Sequence, residues 1–209
     1  EMIACIQTLG HMEQALKWDY YSDIRDTENI LLVDEEKTYS LIDKMIAFWS
    51  DALSTDRIHV GMDEAHSLGR GRFLDRFGYE RQFDIFNRHL DKVQKMCETH
   101  GLKPMIWSDM YFRMGNEKGH YYDKATTIPE DVKRQIPQSV DLVYWDYYHA
   151  DKDFYAEWIR RHRELVGRAP PVASCIWTHA RFWYDHWQTA TSVPPCLSAC
   201  REEGVREVF

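Results

Sequence analysis

The chain has 209 residues and a mass of 25.0 kDa, with 44% hydrophobic, 14% aromatic and 29% charged residues. That apolar content supports one sizeable core and excludes a disordered or fibrous chain. A formal net charge of -8 argues against broad nucleic-acid binding, which needs basic patches to neutralise phosphates. No apolar run approaches the ~18 residues required to cross a bilayer, so no membrane span is expected.

Short β-type runs alternate with long amphipathic patterns. Met2 to Leu9 reads as a strand. Asp34 is placed to cap a helix carrying Ile42, Met45, Ile46, Trp49 and Leu53 at spacings of three and four. Arg57 to Gly61 reads as a second strand. A helix follows from about Tyr79 to His100, with an apolar stripe of Phe83, Phe86, Leu90, Val93 and Cys97. Lys103 to Ser108 and Leu142 to Tyr147 are the next strands, and Asp151 to Val166 is a helix. Val172 to Trp177 is a strand, Pro194 to Glu203 a helix, and Arg206 to Phe209 opens a last strand.

Strands separated by helices imply parallel pairing through βαβ crossovers and therefore an α/β fold. The six strand starts lie about 30 to 55 residues apart, which suits a (β/α)₈ barrel. No Gly-rich phosphate loop follows a strand, which weakens a nucleotide-binding, doubly wound alternative. A whole barrel usually needs about 250 residues, so residues 1–209 are expected to be an incomplete one, with about six of the eight βα units. No linker interrupts the pattern, and a single domain is expected. The five cysteines (Cys5, Cys97, Cys175, Cys196 and Cys200) are scattered and odd in number. They fit reduced thiols and a cytoplasmic setting, and Cys196 and Cys200 read as packing residues. The first residue is Glu1, so a fragment is expected, with any targeting signal outside it.

In a parallel barrel the reactive groups gather at the carboxyl ends of the strands. Those ends here hold His11; Asp63 and Glu64; Trp107 and Asp109; Trp145, Asp146 and Tyr147; and Trp177. Indole faces stack on the apolar face of a pyranose, while carboxylates accept from its hydroxyls, so the set suits a sugar cleft. The adjacent acids Asp63 and Glu64 are the sharpest feature. Neighbours on a regular strand face opposite ways, so both can serve one site only where the backbone turns, and Gly61 precedes them. Mutual repulsion would also favour one of the pair keeping its proton. A metal centre on His59, Asp63, Glu64 and His66 is the competing reading, but it lacks the helical HExxH geometry, and no metal or cofactor is expected. His89, His100 and His162 fall in helices and read as surface or packing residues.

His59-Val60-Gly61-Met62-Asp63-Glu64 resembles the H-x-G-x-D-E signature of glycoside hydrolase family 20, the β-N-acetylhexosaminidases. HVGMDEAHSLGRG, KPMIWSDM, IQTLGH, YWDYY and IWTHARFW look like the subgroup containing bacterial N-acetyl-β-D-glucosaminidases and hexosaminidase D. Many members of the wider family carry Gly where this chain has Met62. The resemblance implies a retaining exo-hydrolase that uses the substrate's 2-acetamido group as nucleophile, outside the usual two-carboxylate scheme. It implies Glu64 as general acid/base and Asp63 as the group that orients the acetamido N–H. His11 would be the cleft histidine, Trp107, Trp145 and Trp177 would wall the acetamido pocket, and Tyr147 would donate to its carbonyl. Asp109 and Asp146 would bind sugar hydroxyls. The implied partners are N-acetylhexosamine-terminated glycans or glycosides. By the same alignment the first two strands and most of the last are absent from residues 1–209. A catalytically inactive sugar-binding barrel, or an inactive fragment of the enzyme, is the alternative.

Overall fold

The computed structural model describes residues 1–179 and 181–209. Ala180, inside the IWTHARFW motif, lies outside the described residues. The chain divides into two compact units, Glu1–Val140 and Asp141–Phe209.

The first unit is built on a parallel sheet of β1 (Ala4–Cys5), β2 (Arg57–His59) and β3 (Lys103–Trp107). Cys5 pairs with His59, and His59 with Met105, so all three strands run out at the same edge. Between β1 and β2 lie α1 (Glu13–Leu16), a 3₁₀ segment (Asp19–Ile24) and α2 (Glu36–Ala52). α3 (Arg72–Phe77) and α4 (Gln82–Thr99) join β2 to β3, and α5 (Asp109–Met114) and α6 (Glu130–Lys133) follow β3.

The expected stripe of α4 is the buried one: Phe83, Phe86, Leu90, Val93 and Cys97 are all in the core. Each such side chain contributes about 1.5–3 kcal/mol by leaving water, which is why the long 3.6-residue periodicities are obeyed. Two further sequence expectations shift. Met2–Leu9 keeps regular pairing only at Ala4–Cys5, because beyond Ile6 the chain bends to hydrogen-bond sideways, the Thr8 hydroxyl donating to Val60 O at 2.8 Å. Asp34 does not cap α2, whose N-cap is Glu35 without a side-chain bond. Asp34 instead receives Arg88 at 2.7 Å and Lys92 at 2.6 Å, two cations that outcompete a backbone amide for its carboxylate.

The second unit holds β4 (Asp141–Trp145), α7 (Lys152–Val166), β5 (Val172–Ala173) and α8 (His186–Glu202). β4 and β5 are parallel, with Trp145 opposite Ala173. The expected final strand is reduced to a parallel bridge from Val172 to Val208. Asp151 caps α7 through a bond from Asp153 N at 2.9 Å. α8 starts at His186, eight residues before the proline expected to open it, because Asp185 accepts from Gln188 N at 3.0 Å and nucleates the first turn. Pro194 and Pro195 therefore lie inside a helix, where their rings remove two ladder donors. Among the described residues no helix is long and apolar enough to cross a membrane.

Candidate active site

β2 ends at His59, and the residues after it leave strand geometry. Gly61 and Met62 both adopt φ +73° and Glu64 adopts φ +49°. Among the described residues four non-glycines have positive φ, and three of them (His11, Met62 and Glu64) belong to this site. Such conformations cost of order 1–3 kcal/mol each, and they cluster where geometry serves a task. Here the result is specific. Asp63 and Glu64, which a strand would turn to opposite faces, both reach the same imidazole: His11 Nε2 lies 3.2 Å from Asp63 Oδ2 and 3.3 Å from Glu64 Oε2.

The surrounding fold overdetermines this turn. Val60 N donates to Met105 O at 2.8 Å and Trp107 N to Gly61 O at 3.0 Å, carrying the β3 edge along the bend. A Cβ on Gly61 would sit 2.1 Å from Gln7 Oε1 and 2.7 Å from Ile6 O, so no larger residue fits there. Further on, buried Asp26 accepts from Gly69 N at 3.0 Å and Phe73 N at 2.7 Å, fastening the loop that follows Glu64.

The two acids differ in surroundings. Burial pushes the Asp63 carboxyl above its ordinary range, opposed by the Gln7 amide and by His11. Gln7 Nε2 donates to Asp63 Oδ1 at 2.9 Å. The Glu64 side chain is 36% exposed against 16% for Asp63, and its Oε1 accepts from the Tyr121 hydroxyl at 3.0 Å. The Tyr121 oxygen is in turn 2.6 Å from His66 Nε2. So the more buried carboxyl of the pair is Asp63. A recess of about 500 Å³ opens beside His11 and includes Glu13, Arg25 and Asn29 in its lining.

The remaining expected site residues separate by unit. Trp107 is half-buried and its ring lies 4.2 Å from that of His59. His59 itself is buried, with Nδ1 accepting from Gly61 N at 3.1 Å, and burial lowers it to about 4. It is therefore a neutral packing and turn residue, and His66 is engaged by Tyr121. Asp109 is fully buried, and its Oδ2 accepts from Glu64 N at 3.1 Å. One of its contacts is thus with the backbone of the acid. In the second unit Trp145 stacks on Tyr147 at 5.5 Å and 28°, and Tyr147 meets Trp177 edge-on at 6.2 Å. Asp146, between Trp145 and Tyr147 in sequence, is buried, its oxygens taken by the Tyr144 hydroxyl at 3.1 Å, Tyr148 N at 2.9 Å and His149 Nδ1 at 2.7 Å. The group it presents to solvent is the His149 ring.

Gln7, Tyr121 and Asp26 were not legible as site residues. Tyr121 and Asp26 lie outside any motif, Gln7 lies inside IQTLGH with no role of its own read there, and only the fold brings Gln7 within reach of Asp63 or Tyr121 within reach of Glu64.

Comparison with known proteins identifies the family. The glycosyl hydrolase family 20 catalytic-domain model matches residues 1–159. Human hexosaminidase D is 27% identical over 176 residues, which cover 75% of this chain and 32% of that protein. Bovine hexosaminidase D is 28% identical over 176 residues, covering 75% and 44%. The chain thus spans less than half the length of these curated relatives. Among solved structures, the GH20 β-N-acetylhexosaminidase from Streptomyces coelicolor A3(2) superposes with a TM-score of 0.52 at 17% identity, over 86% of this chain and 31% of that one. The GH20 exo-β-N-acetylglucosaminidase from Vibrio harveyi, in complex with N-acetylglucosamine, gives 0.52 at 12% identity, over 82% and 25%. At such identities the likeness concerns the fold alone, a parallel α/β arrangement. The matched span holds the two adjacent acids and the turn that carries them, and the chain belongs to glycosyl hydrolase family 20.

Proposed function

We propose that the protein carrying this chain is an exo-β-N-acetylhexosaminidase. It removes terminal β-linked N-acetylglucosamine or N-acetylgalactosamine with retention, using the substrate's acetamido oxygen as nucleophile. The fold is read as part of a (β/α)₈ barrel whose first two strands and most of whose last lie outside residues 1–209. The observation that carries the reading is the shared reach of Asp63 and Glu64 to His11 Nε2 across a strained turn.

The chemistry follows from these groups. An amide oxygen inside the substrate attacks the anomeric carbon at very high effective molarity, so the protein need supply no nucleophile. Glu64, the more open of the two acids, protonates the departing glycosidic oxygen and later takes a proton from the incoming water. Asp63, inside and held by Gln7 and His11, accepts the acetamido N–H and faces the positive charge that grows as the ring closes. An imidazole with its hydrogen on Nε2 bridges both carboxyls and keeps them in register. In the first unit half-buried Trp107 has a flat apolar face of the kind sugars and acetamido methyls pack on, and within the second unit Trp145, Tyr147 and Trp177 form a stacked and edge-on aromatic cluster. Asp109 and Asp146 act from inside, one through the Glu64 backbone and the other through His149.

The test is hydrolysis of a chromogenic N-acetyl-β-glucosaminide by the intact protein beside Glu64→Gln. Turnover in the wild type and loss of at least about a hundredfold in the variant is expected for a general acid. Equal rates would refute the assignment, and binding without turnover in the wild type would establish the inactive sugar-binding alternative.

A further inference from the structure

We propose that Tyr121, backed by His66, is a positioning residue that fixes which oxygen of Glu64 carries the transferable proton. This rests on the role proposed above for Glu64. Tyr121 lies in the segment after α5, 57 residues from Glu64 in sequence, and its hydroxyl donates to Glu64 Oε1 at 3.0 Å. A phenol has one hydrogen, so its oxygen must accept from the other neighbour. That neighbour is His66 Nε2 at 2.6 Å, which places the imidazole hydrogen on Nε2. Burial, with the Arg113 charge, keeps His66 below its ordinary range and therefore neutral near pH 7. Burial and the Glu64 charge hold the Tyr121 hydroxyl above its ordinary range, so it remains a donor.

The consequence is a choice between two oxygens. Oε1 accepts from Tyr121 whether Glu64 is ionised or protonated, because a carboxylic carbonyl oxygen accepts as a carboxylate does. The acid hydrogen then resides on Oε2, the oxygen 3.3 Å from His11 Nε2 and on the side shared with Asp63. As the proton leaves Oε2 for the glycosidic oxygen, negative charge grows on the carboxylate, and the bond from Tyr121 strengthens at that moment. A donor that tightens only as charge develops lowers the barrier rather than merely improving binding.

Leaving-group dependence tests this. Tyr121→Phe should lower kcat/KM about tenfold or more for an alkyl N-acetyl-β-glucosaminide or a disaccharide, where proton donation is essential, with KM little changed. For a dinitrophenyl glycoside, which departs without a proton, the loss should be less than about threefold. His66→Ala should show the same pattern at smaller size. Equal losses on both substrates in the two variants, or none on either, would overturn the proposal. Glu64→Gln assayed alongside separates the two levels: wild-type rates in that variant would refute the role of Glu64 itself, whereas a crippled Glu64→Gln beside an unaffected Tyr121→Phe would refute only the role of Tyr121.

Discussion

Gly10 lies directly against the main chain of Asp63: a Cβ placed on Gly10 would sit 2.3 Å from the Asp63 carbonyl oxygen. The segments that follow β1 and β2 approach this closely because no side chain separates them. Backbone cannot yield as a flexible side chain can, so Gly10→Ala must push Asp63 and Glu64 away from His11. A displacement approaching 1 Å near the reacting groups can cost on the order of a hundredfold in rate. The expected result is that loss in kcat/KM on an N-acetyl-β-glucosaminide with an unchanged far-UV circular dichroism spectrum. Activity within twofold of wild type would show that the turn tolerates the shift.

Met62 poses a contest between two effects. Its φ of +73° favours glycine, and relieving it is worth about 1–2 kcal/mol. Its side chain is fully buried, and truncating a buried methionine costs about 2–5 kcal/mol. Burial wins, so Met62→Gly should lower the urea midpoint by an amount equivalent to about 1–3 kcal/mol while keeping most activity. A rise in stability would mean that strain at this turn outweighs packing. The Met in a position where family relatives often carry Gly then reads as a residue kept for the core it fills.

Buried histidine gives the fold an acid limit. His89 is fully enclosed in α4, with Nε2 2.9 Å from Thr8 O and Nδ1 3.2 Å from the Tyr39 hydroxyl, and burial lowers it to about 4. Folded protein binds this proton only near pH 4, whereas the unfolded chain binds it near 6.5. Its stabilising contribution is therefore full above 6.5 and is lost as pH falls from there toward 4. His59 and His162 are lowered to about 4 by burial and act in the same direction. Asp26 and Asp63, raised by burial, act in the opposite one. Comparing slopes isolates His89: between pH 5.5 and 4.5, His89→Gln should flatten the dependence of unfolding free energy on pH by about 1 kcal/mol per unit. An unchanged slope would mean that His89 is protonated in the native state.

The sequence made much of this visible, and the reasons for what it hid are physical. The α4 stripe and the acid pair after Gly61 could be read because burial periodicity and a strand-ending turn leave local marks. Asp34 could not, since its rivals for hydrogen bonding, Arg88 and Lys92, sit more than fifty residues away. The start of α8 was masked by Pro194 and Pro195, which resemble a first turn but follow two turns already nucleated at Asp185. Tyr121 had no signal, and Gln7 none beyond its place in IQTLGH, because a side chain that reaches a site across a loop or a neighbouring strand follows no period. Asp109 and Asp146 were legible as acids at strand ends, yet not as buried ones, since burial depends on the helix or loop that folds over them.

Participation of the substrate's amide is the claim on which the mechanism turns, and fluorination of the N-acyl group measures it most directly. Each fluorine draws electron density from the carbonyl oxygen and weakens it as a nucleophile without altering the leaving group. Across the acetyl, monofluoro-, difluoro- and trifluoroacetyl series of one aryl β-glucosaminide, kcat/KM of the intact protein should fall steeply, by more than about a hundredfold in total. A flat series would contradict the account and point instead to a nucleophile supplied by the protein.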